Sequence, residues 1–228
     1  MKWMLFILLI GVYNFSKGQA ISFAAYFPLK NENSNLFYVS HIKGTDTIKG
    51  NNIYSCCRSL SIKKREIFYF EDDGDEGDTS IIGSNSFCHG VFYFDKGAFF
   101  FSPIFWKYEL KQANLDYFEP LFPATISVDT VYKFQDGEKR MNYRFTGFED
   151  VVIKDSVFKD CLKLTITQNW ITAQYIDTVW FQKGFGVVKW LRGTGRLEEV
   201  NLVENTRDKN RRGEYTKANI PALPLGIF

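Results

Sequence analysis

Cysteine and histidine are the residue types of this 228-residue chain best suited to covalent chemistry, and they occur as Cys56, Cys57, Cys88, Cys161, His41 and His89. A cysteine nucleophile needs a histidine that faces it in space, whereas neighbouring residues of a strand, such as Cys88 and His89, point to opposite faces. The adjacent acids Glu149 and Asp150 could serve a glycosidase, but two acids in a β-protein are more often surface charges. Gly-x-Ser-x-Gly, His-Glu-x-x-His and Cys-x-x-Cys motifs do not occur, so the sequence predicts a protein that is not an enzyme.

An acidic stretch at residues 71–78, EDDGDEGD, is the candidate for metal binding. Hard cations such as calcium take several oxygen ligands from flexible loops of this kind, which makes Asp73, Asp75 and Asp78 candidate ligands. The EF-hand order fails, because the fifth position counted from Asp73 is Gly77 and the twelfth is not glutamate. A solvated loop whose charges discourage strand edges from pairing is the interpretation we favour, so neither a metal nor a cofactor is predicted.

Two Gly-x-Gly triplets, Gly184–Gly186 and Gly193–Gly195, stand nine positions apart. A dinucleotide-binding fingerprint would need a third glycine at position 189, which is Lys189, followed by a helix. Residues 187–190 instead alternate as a strand does. The triplets therefore predict turns or bulges within a three-strand meander.

The first twenty residues, MKWMLFILLIGVYNFSKGQA, have the pattern of a signal peptide. Lys2 precedes an apolar run at residues 3–13, and small residues at 18–20 predict cleavage near Ala20. The apolar run is too short to span a bilayer, and no later stretch is long enough. We therefore expect a periplasmic or secreted protein without a transmembrane segment.

The charge of the expected mature chain excludes one class of partner. Residues 1–20 contain two lysines and no acid, so without them the 28 basic residues of the chain fall to 26 and balance its 26 acidic residues. Nucleic-acid binders carry a basic excess that attracts phosphates, so a nucleic-acid partner is not expected.

The cysteines are also the disulfide candidates, because an exported chain enters a compartment that permits oxidation. Cys56 and Cys57 adjoin each other and would point to opposite faces of a strand, which makes them poor partners for each other. A bridge from one of them to Cys88 or Cys161, or else free buried thiols, is expected.

Most of the chain alternates with the period of a strand. In residues 161–170, Leu162, Leu164 and Ile166 fall on one face. Similar runs, separated by turn residues such as Asp95-Lys96-Gly97 and Asp136-Gly137, occur at 36–42, 66–70, 90–94, 98–101, 131–135, 141–148, 175–182, 187–192 and 196–203. Aromatic residues make up 18% of the chain, and flat rings favour pleated surfaces.

These patterns predict an all-β domain at residues 21–204, built as a curved antiparallel sheet or incomplete β-barrel. One short helix or irregular segment is expected near 104–119, between two prolines. Residues 205–228 form a polar, basic arm that ends in the apolar IPALPLGIF. Whether that end docks on the domain is left open, as is contact of the basic cluster with an anionic membrane.

Three stretches resemble uncharacterised exported bacterial proteins: AYFPLKNENSNLFYV at 25–39, FKDCLK at 158–163, and the hairpin at 179–190. These families of unknown function are similar to the half-barrel of the periplasmic lipoprotein carriers, in which a curved antiparallel sheet holds acyl chains. The resemblance covers residues 25 to about 203 and implies the same half-barrel, without implying catalytic residues.

The sequence thus leads to two hypotheses about function. The first is a non-enzymatic exported protein that binds a hydrophobic ligand, such as a lipid, or a lipidated partner on a concave aromatic face. The alternative is a structural or protein-interaction module of the cell envelope that has an envelope protein as its partner and no small-molecule ligand.

Overall fold

The computed structural model describes residues 20–30, 34–43, 46–62, 64–72, 91–102, 120–136, 139–170, 173–193 and 197–206. Its elements are β1 Ile21–Ser22, α1 Phe23–Tyr26, β2 Ser34–Lys43, β3 Asp46–Ile62, β4 Arg65–Asp72, β5 Val91–Asp95, β6 Ala98–Ser102, β7 Pro120–Pro123, β8 Thr125–Ile126, β9 Val131–Asp136, β10 Lys139–Ile153, β11 Ser156–Trp170, β12 Ala173–Gln182, β13 Gly186–Arg192 and β14 Leu197–Thr206. The predicted all-β class is confirmed.

Twelve of these strands form one sheet in the order β7-β6-β5-β4-β3-β2-β14-β13-β12-β11-β10-β9, and every recorded pairing is antiparallel. The sheet curves until its two edge strands approach each other. The ring centroids of Phe122 in β7 and Tyr132 in β9 lie 5.9 Å apart. Among the described residues no ladder joins these two edges. The predicted incomplete barrel is therefore confirmed, with β1 and β8 forming a separate two-stranded sheet.

The predicted turns lie where the sequence placed them. Lys96 and Gly97, between β5 and β6, both have positive φ, at 48° and 75°. That conformation is typical of tight hairpin turns, whose twist matches the twist of the flanking strands. Gly184 and Gly186 also have positive φ in the turn between β12 and β13, and β12, β13 and β14 form the predicted meander.

Five of the described elements were not predicted from the sequence: β1, α1, β3, β7 and β8. The longest of them, β3, covers 17 residues and includes a Gly-Asn-Asn stretch at 50–52. The helix α1 is a single turn directly after β1. The helix or irregular segment predicted at 104–119 lies outside the described residues.

The core fills the concave side of the sheet. Leu162 and Leu164 of β11 are fully buried and Ile166 is 3% exposed, as their alternation predicted. They join rings from both halves of the sheet in one apolar cluster that includes Phe92, Phe99, Phe122, Phe145, Phe181 and Trp190. The described ranges contain no helix long and apolar enough to cross a membrane.

Candidate functional site

The candidate site is the ring-lined interior of the curved sheet, together with the N-terminal segment, residues 21–27, that fills it. The segment comprises β1, α1 and Phe27. Phe23 is fully buried and Phe27 is 3% exposed. These two residues stand four positions apart, so a single helical turn directs both rings to the same side.

Phe23 lies at the centre of a cage of aromatic rings. Its ring centroid is 5.0 Å from that of Phe99, 5.0 Å from that of Phe122 and 5.3 Å from that of Phe181, all in edge-to-face arrangements. Phe145 approaches at 5.6 Å with a tilted ring. Edge-to-face pairs place the positive ring edge on the negative ring face, so this geometry is favourable beyond simple burial.

Phe27 extends the same aromatic interior. Its ring lies 5.7 Å from that of Phe23 in a stacked arrangement and 5.2 Å from that of Phe92 in an edge-to-face arrangement. It also meets Phe99 and Phe181 edge-to-face. The two rings of the segment thus form a row whose neighbours come from strands on both sides of the interior.

Backbone contacts at both ends of the segment join it to β8 and to the turn after β12. The ladder between β1 and β8 has two residue pairs, Ile21 with Ile126 and Ser22 with Thr125. Phe23 donates its backbone N–H to the carbonyl of Ala124 at 2.9 Å. At the C-terminal end of the segment, Gly184 donates its N–H to the carbonyl of Ala25 at 2.8 Å. The turn that contains the first Gly-x-Gly triplet therefore also binds the segment.

The segment leaves the interior at a rim formed by Tyr26, Phe148, Gln182 and Phe185. Phe148 is 42% exposed and its ring lies 5.8 Å from that of Tyr26. Phe185, in the turn between β12 and β13, is 40% exposed. The rim therefore places two partly exposed rings beside the point where the segment emerges.

Charged pairs surround this rim on β10 and β11. Glu149 accepts a hydrogen bond from Lys163 at 3.2 Å and another from the indole N–H of Trp180. Asp150 pairs with Lys159 and also accepts the backbone N–H of Asp160 at 3.1 Å. These contacts lower the pKa of Asp150, chiefly through the hydrogen bond from Lys159. The two acids considered for glycosidase chemistry thus each have a lysine partner.

Cys161 lies just inside the rim as a free, buried thiol. It donates to the side-chain carbonyl of Gln182 at 3.2 Å, and the backbone carbonyl of Phe158 lies at 3.5 Å. Burial raises the pKa of this thiol to about 12, and the charges of Asp150 and Asp160 add to the shift. Since the thiolate is the nucleophile, a thiol that stays protonated at neutral pH is a weak one.

A small polar cluster is buried further along the sheet, between β11 and β12. The Asp177 carboxylate, 2% exposed, accepts one hydrogen bond from Gln168 at 3.1 Å and another from the backbone N–H of Gly193 at 2.9 Å. A Cβ on Gly193 would stand 2.5 Å from the carbonyl oxygen of Ile176, so only glycine allows this approach. Gly193, the first glycine of the Gly193–Gly195 triplet, is therefore needed for close approach to the backbone of Ile176. Burial, with a smaller contribution from Asp177, raises the pKa of Tyr143 nearby.

The other residues singled out from the sequence are spread over the chain. Cys56 and Cys57 lie in β3, where Cys57 is buried, and His41 lies in β2. The remaining candidates, Cys88, His89, Asp73, Asp75 and Asp78, lie outside the described residues. A bridge to Cys161 is not formed in this structure, while a bridge from Cys56 to Cys88 stays a prediction. Within the described ranges no group of three or more His, Cys, Asp or Glu could hold a metal ion.

Sequence reasoning predicted aromatic residues on a concave face, but not that the chain itself fills that face. Phe23 and Phe27 were not singled out. A local signal was present, because two phenylalanines four residues apart are followed directly by Pro28, which ends a helical turn. Their ring partners, from Phe92 to Phe181, lie in strands far along the chain, and this local spacing could not reveal those contacts.

Comparisons with known proteins give limited matches. No protein-family model matches the chain, and a search of curated proteins finds no match. Among solved structures, a "putative lipoprotein" from Parabacteroides distasonis ATCC 8503 is 12% identical with a TM-score of 0.41, over 80% of this chain and 99% of that one. A "putative exported protein with YmcC-like fold" from Bacteroides fragilis NCTC 9343 is 11% identical with a TM-score of 0.41, over 79% of this chain and 98% of that one. No residue role is carried over from either.

Proposed function

We propose that this protein binds a hydrophobic ligand, or the lipid of a lipidated partner, in the aromatic interior of its curved sheet. It acts without catalysis, in the periplasm or outside the cell. The observation that carries the proposal is the cage around Phe23, an interior of rings that takes up an apolar segment through side-chain contacts. Ligand sites of this kind are concave and mostly apolar, with a few polar groups at their mouths.

Two features support a binding role over a catalytic one. Cys161 is the nucleophile candidate nearest the interior, and burial holds its pKa at about 12. The acids at the rim are engaged by Lys159 and Lys163 and by backbone and indole N–H groups. The contacts of Asp150 lower its pKa, chiefly through the hydrogen bond from Lys159, and so oppose a role of that residue as general acid.

The proposal is tested by identifying what the protein carries. The mature protein is purified from its native compartment without detergent, extracted with organic solvent, and examined by mass spectrometry. An unrelated exported protein purified in parallel is the control. We expect a lipid at stoichiometric level in the first extract and not in the second. Equal traces in both extracts, together with no binding of a dansyl-labelled undecanoic acid, would overturn the proposal.

A second function is favoured by a different observation, the apolar outer surface at the end of the β10–β11 hairpin. Val152 and Val157 face each other across the hairpin and are 62% and 52% exposed. Exposed apolar groups that lie together mark interaction surfaces more often than scattered ones do. This surface supports the alternative hypothesis of an envelope interaction module.

The interaction hypothesis is tested with a matched pair of variants. Val152→Glu and Val131→Glu each place a charge at an exposed valine, the first in the hairpin and the second in the edge strand β9. Chemical crosslinking in intact cells is then compared between them. If the hairpin is an interface, a crosslinked product of defined mass disappears in Val152→Glu and persists in Val131→Glu. Identical crosslinking patterns in wild type and both variants would count against it.

A further inference from the structure

The N-terminal segment fills the aromatic interior with apolar side chains, as a hydrophobic ligand would. Its two buried rings touch other rings, from Phe92, Phe99, Phe122, Phe145 and Phe181. Hydrophobic contact is non-directional, so a cage of this kind selects for apolar surface and thickness and not for a particular polar group. Whatever replaces the segment therefore has to be a slender apolar chain.

The segment is joined to the rest of the protein by a short ladder. It contributes two residue pairs to a separate two-stranded sheet, whereas β10 and β11 share twelve pairs within the main sheet. None of the described ladders of the main sheet includes β1. Elements with few backbone hydrogen bonds open at lower free energy than the core of a sheet.

Several of the polar groups that a departing segment would leave behind lie where water reaches them. Ala124, which accepts from Phe23, and Gly184, which donates to Ala25, are both partly exposed. Thr125, which pairs with Ser22 in the short ladder, is exposed, whereas Ile126, the partner of Ile21, is buried. A ligand therefore has to replace the apolar contacts of the two rings and of Ile21, while water can replace the hydrogen bonds of the exposed backbone groups.

We infer that the ligand site is the volume now held by Phe23 and Phe27, and that a linear hydrocarbon chain of a lipid enters it by displacing residues 21–27. This inference rests on the proposed function and adds the position of the site, the class of ligand and the element that moves. A peptide ligand is disfavoured, because it would compete for the same ladder with a segment that is covalently tethered and thus present at high effective concentration. An acyl chain needs the apolar walls alone.

A reversible crosslink tests whether displacement is required. Ser22 and Thr125 are directly paired and exposed, and Cβ atoms of directly opposed strand residues lie close to the separation a disulfide needs. The double variant Ser22→Cys/Thr125→Cys would therefore lock the segment in the interior when oxidised. The single variants Ser22→Cys and Thr125→Cys, oxidised in the same way, control for the native cysteines, and mass spectrometry confirms the intended bridge.

Binding of dansyl-labelled undecanoic acid is measured by fluorescence for each protein. We expect the oxidised double variant to bind at least about tenfold more weakly than the same protein after reduction, because the locked state is not competent to bind. The wild type and both single variants should bind equally well under either condition.

The possible outcomes separate the two proposals. Loss of binding on oxidation, reversed by reduction, supports displacement. Equal binding by the oxidised and reduced double variant overturns displacement but leaves a hydrophobic ligand site elsewhere in the protein. Absence of binding by the wild type overturns the proposed function, and the inference with it. As an independent measurement, chymotrypsin should cleave after Phe23 or Tyr26 faster with the probe present than without it, and an unchanged or slower rate contradicts displacement.

Discussion

The two halves of the sheet use their faces differently. In β4–β6 both faces are apolar: Phe92 packs into the interior, while Val91 and Tyr93 on the opposite face form a second cluster with Ile67. In β10–β12 the interior face is mostly apolar, but the opposite face carries charged and exposed residues, among them Lys163. The first half of the sheet is thus buried on two sides and the second on one.

This difference determines how much each face of a strand contributes to the free energy of unfolding through burial. A strand buried on both faces reads as a continuous apolar run, as in VFYFD at 91–95 and AFFFS at 98–102. A strand buried on one face alternates, as β11 does. Substitutions should therefore have similar effects on the interior face of both halves and very different effects on the opposite face.

The largest effect is expected on the shared interior. Phe99→Ala in the first half and Phe145→Ala in the second each remove a fully buried ring that touches Phe23. Each should lower the free energy of unfolding by about 3–5 kcal/mol, through lost burial and the cavity left behind. Urea unfolding followed by tryptophan fluorescence measures both. A loss confined to one half would mean that the halves do not share one core.

The opposite faces should give the sharpest contrast. Tyr93 is 1% exposed and its ring stacks on that of Phe100 at 4.6 Å, whereas Val157 is 52% exposed. Tyr93→Ala should lower the free energy of unfolding by about 3 kcal/mol or more, and Val157→Ala should change it by less than about 0.5 kcal/mol. The same urea titration compares them, and similar values for the two variants would contradict the two-sided burial of the first half.

The sequence predicted the second half more completely than the first. Alternation is visible in β11 and β12, and Asp136-Gly137 correctly indicated the hairpin between β9 and β10. The strand β3 was not predicted, because Gly50, Asn51 and Asn52 are typical of turns. Those residues pair directly with β2, and β3 continues into a ladder with β4, so tertiary pairing overrides local preference.

The candidate site was predicted in kind but not in detail. Aromatic content and alternation indicated a ring-lined concave face. The residues that fill it could not be predicted, because Phe23 meets Phe145 and Phe181 only after the sheet has curved. The spacing of residues along the chain does not predict contacts between such distant positions. A four-residue helix is also too short to show a helical period.

Within the second half, the interior is not uniformly apolar, and its polar cluster predicts an intermediate effect. Asp177→Ala would remove the acceptor for Gln168 and for the backbone N–H of Gly193. The expected loss is about 1–3 kcal/mol, because these groups would be left buried without that partner. Asp177→Asn keeps one acceptor oxygen and should lose less. If both variants unfold at the same urea concentration as wild type, the cluster does not stabilise this end of the sheet.

The smallest effect at neutral pH is expected at the rim, where the interior of the second half meets its charged surface, and this effect grows as the pH is raised. Burial raises the pKa of Cys161 from 9.0 to about 12. Between these values the unfolded chain loses the thiol proton and the folded chain keeps it, so folding binds a proton and stability falls as pH rises from 9 toward 12. Cys161→Ser keeps a donor for Gln182 and does not titrate in this range, so its stability relative to wild type should be constant below pH 8 and improve above pH 9. Urea unfolding in reductant at several pH values measures this difference, in which all other titrating groups cancel. A difference that stays constant to pH 11 would show that the thiol titrates alike in both states and that the neighbouring Asp150 and Asp160 do not influence it.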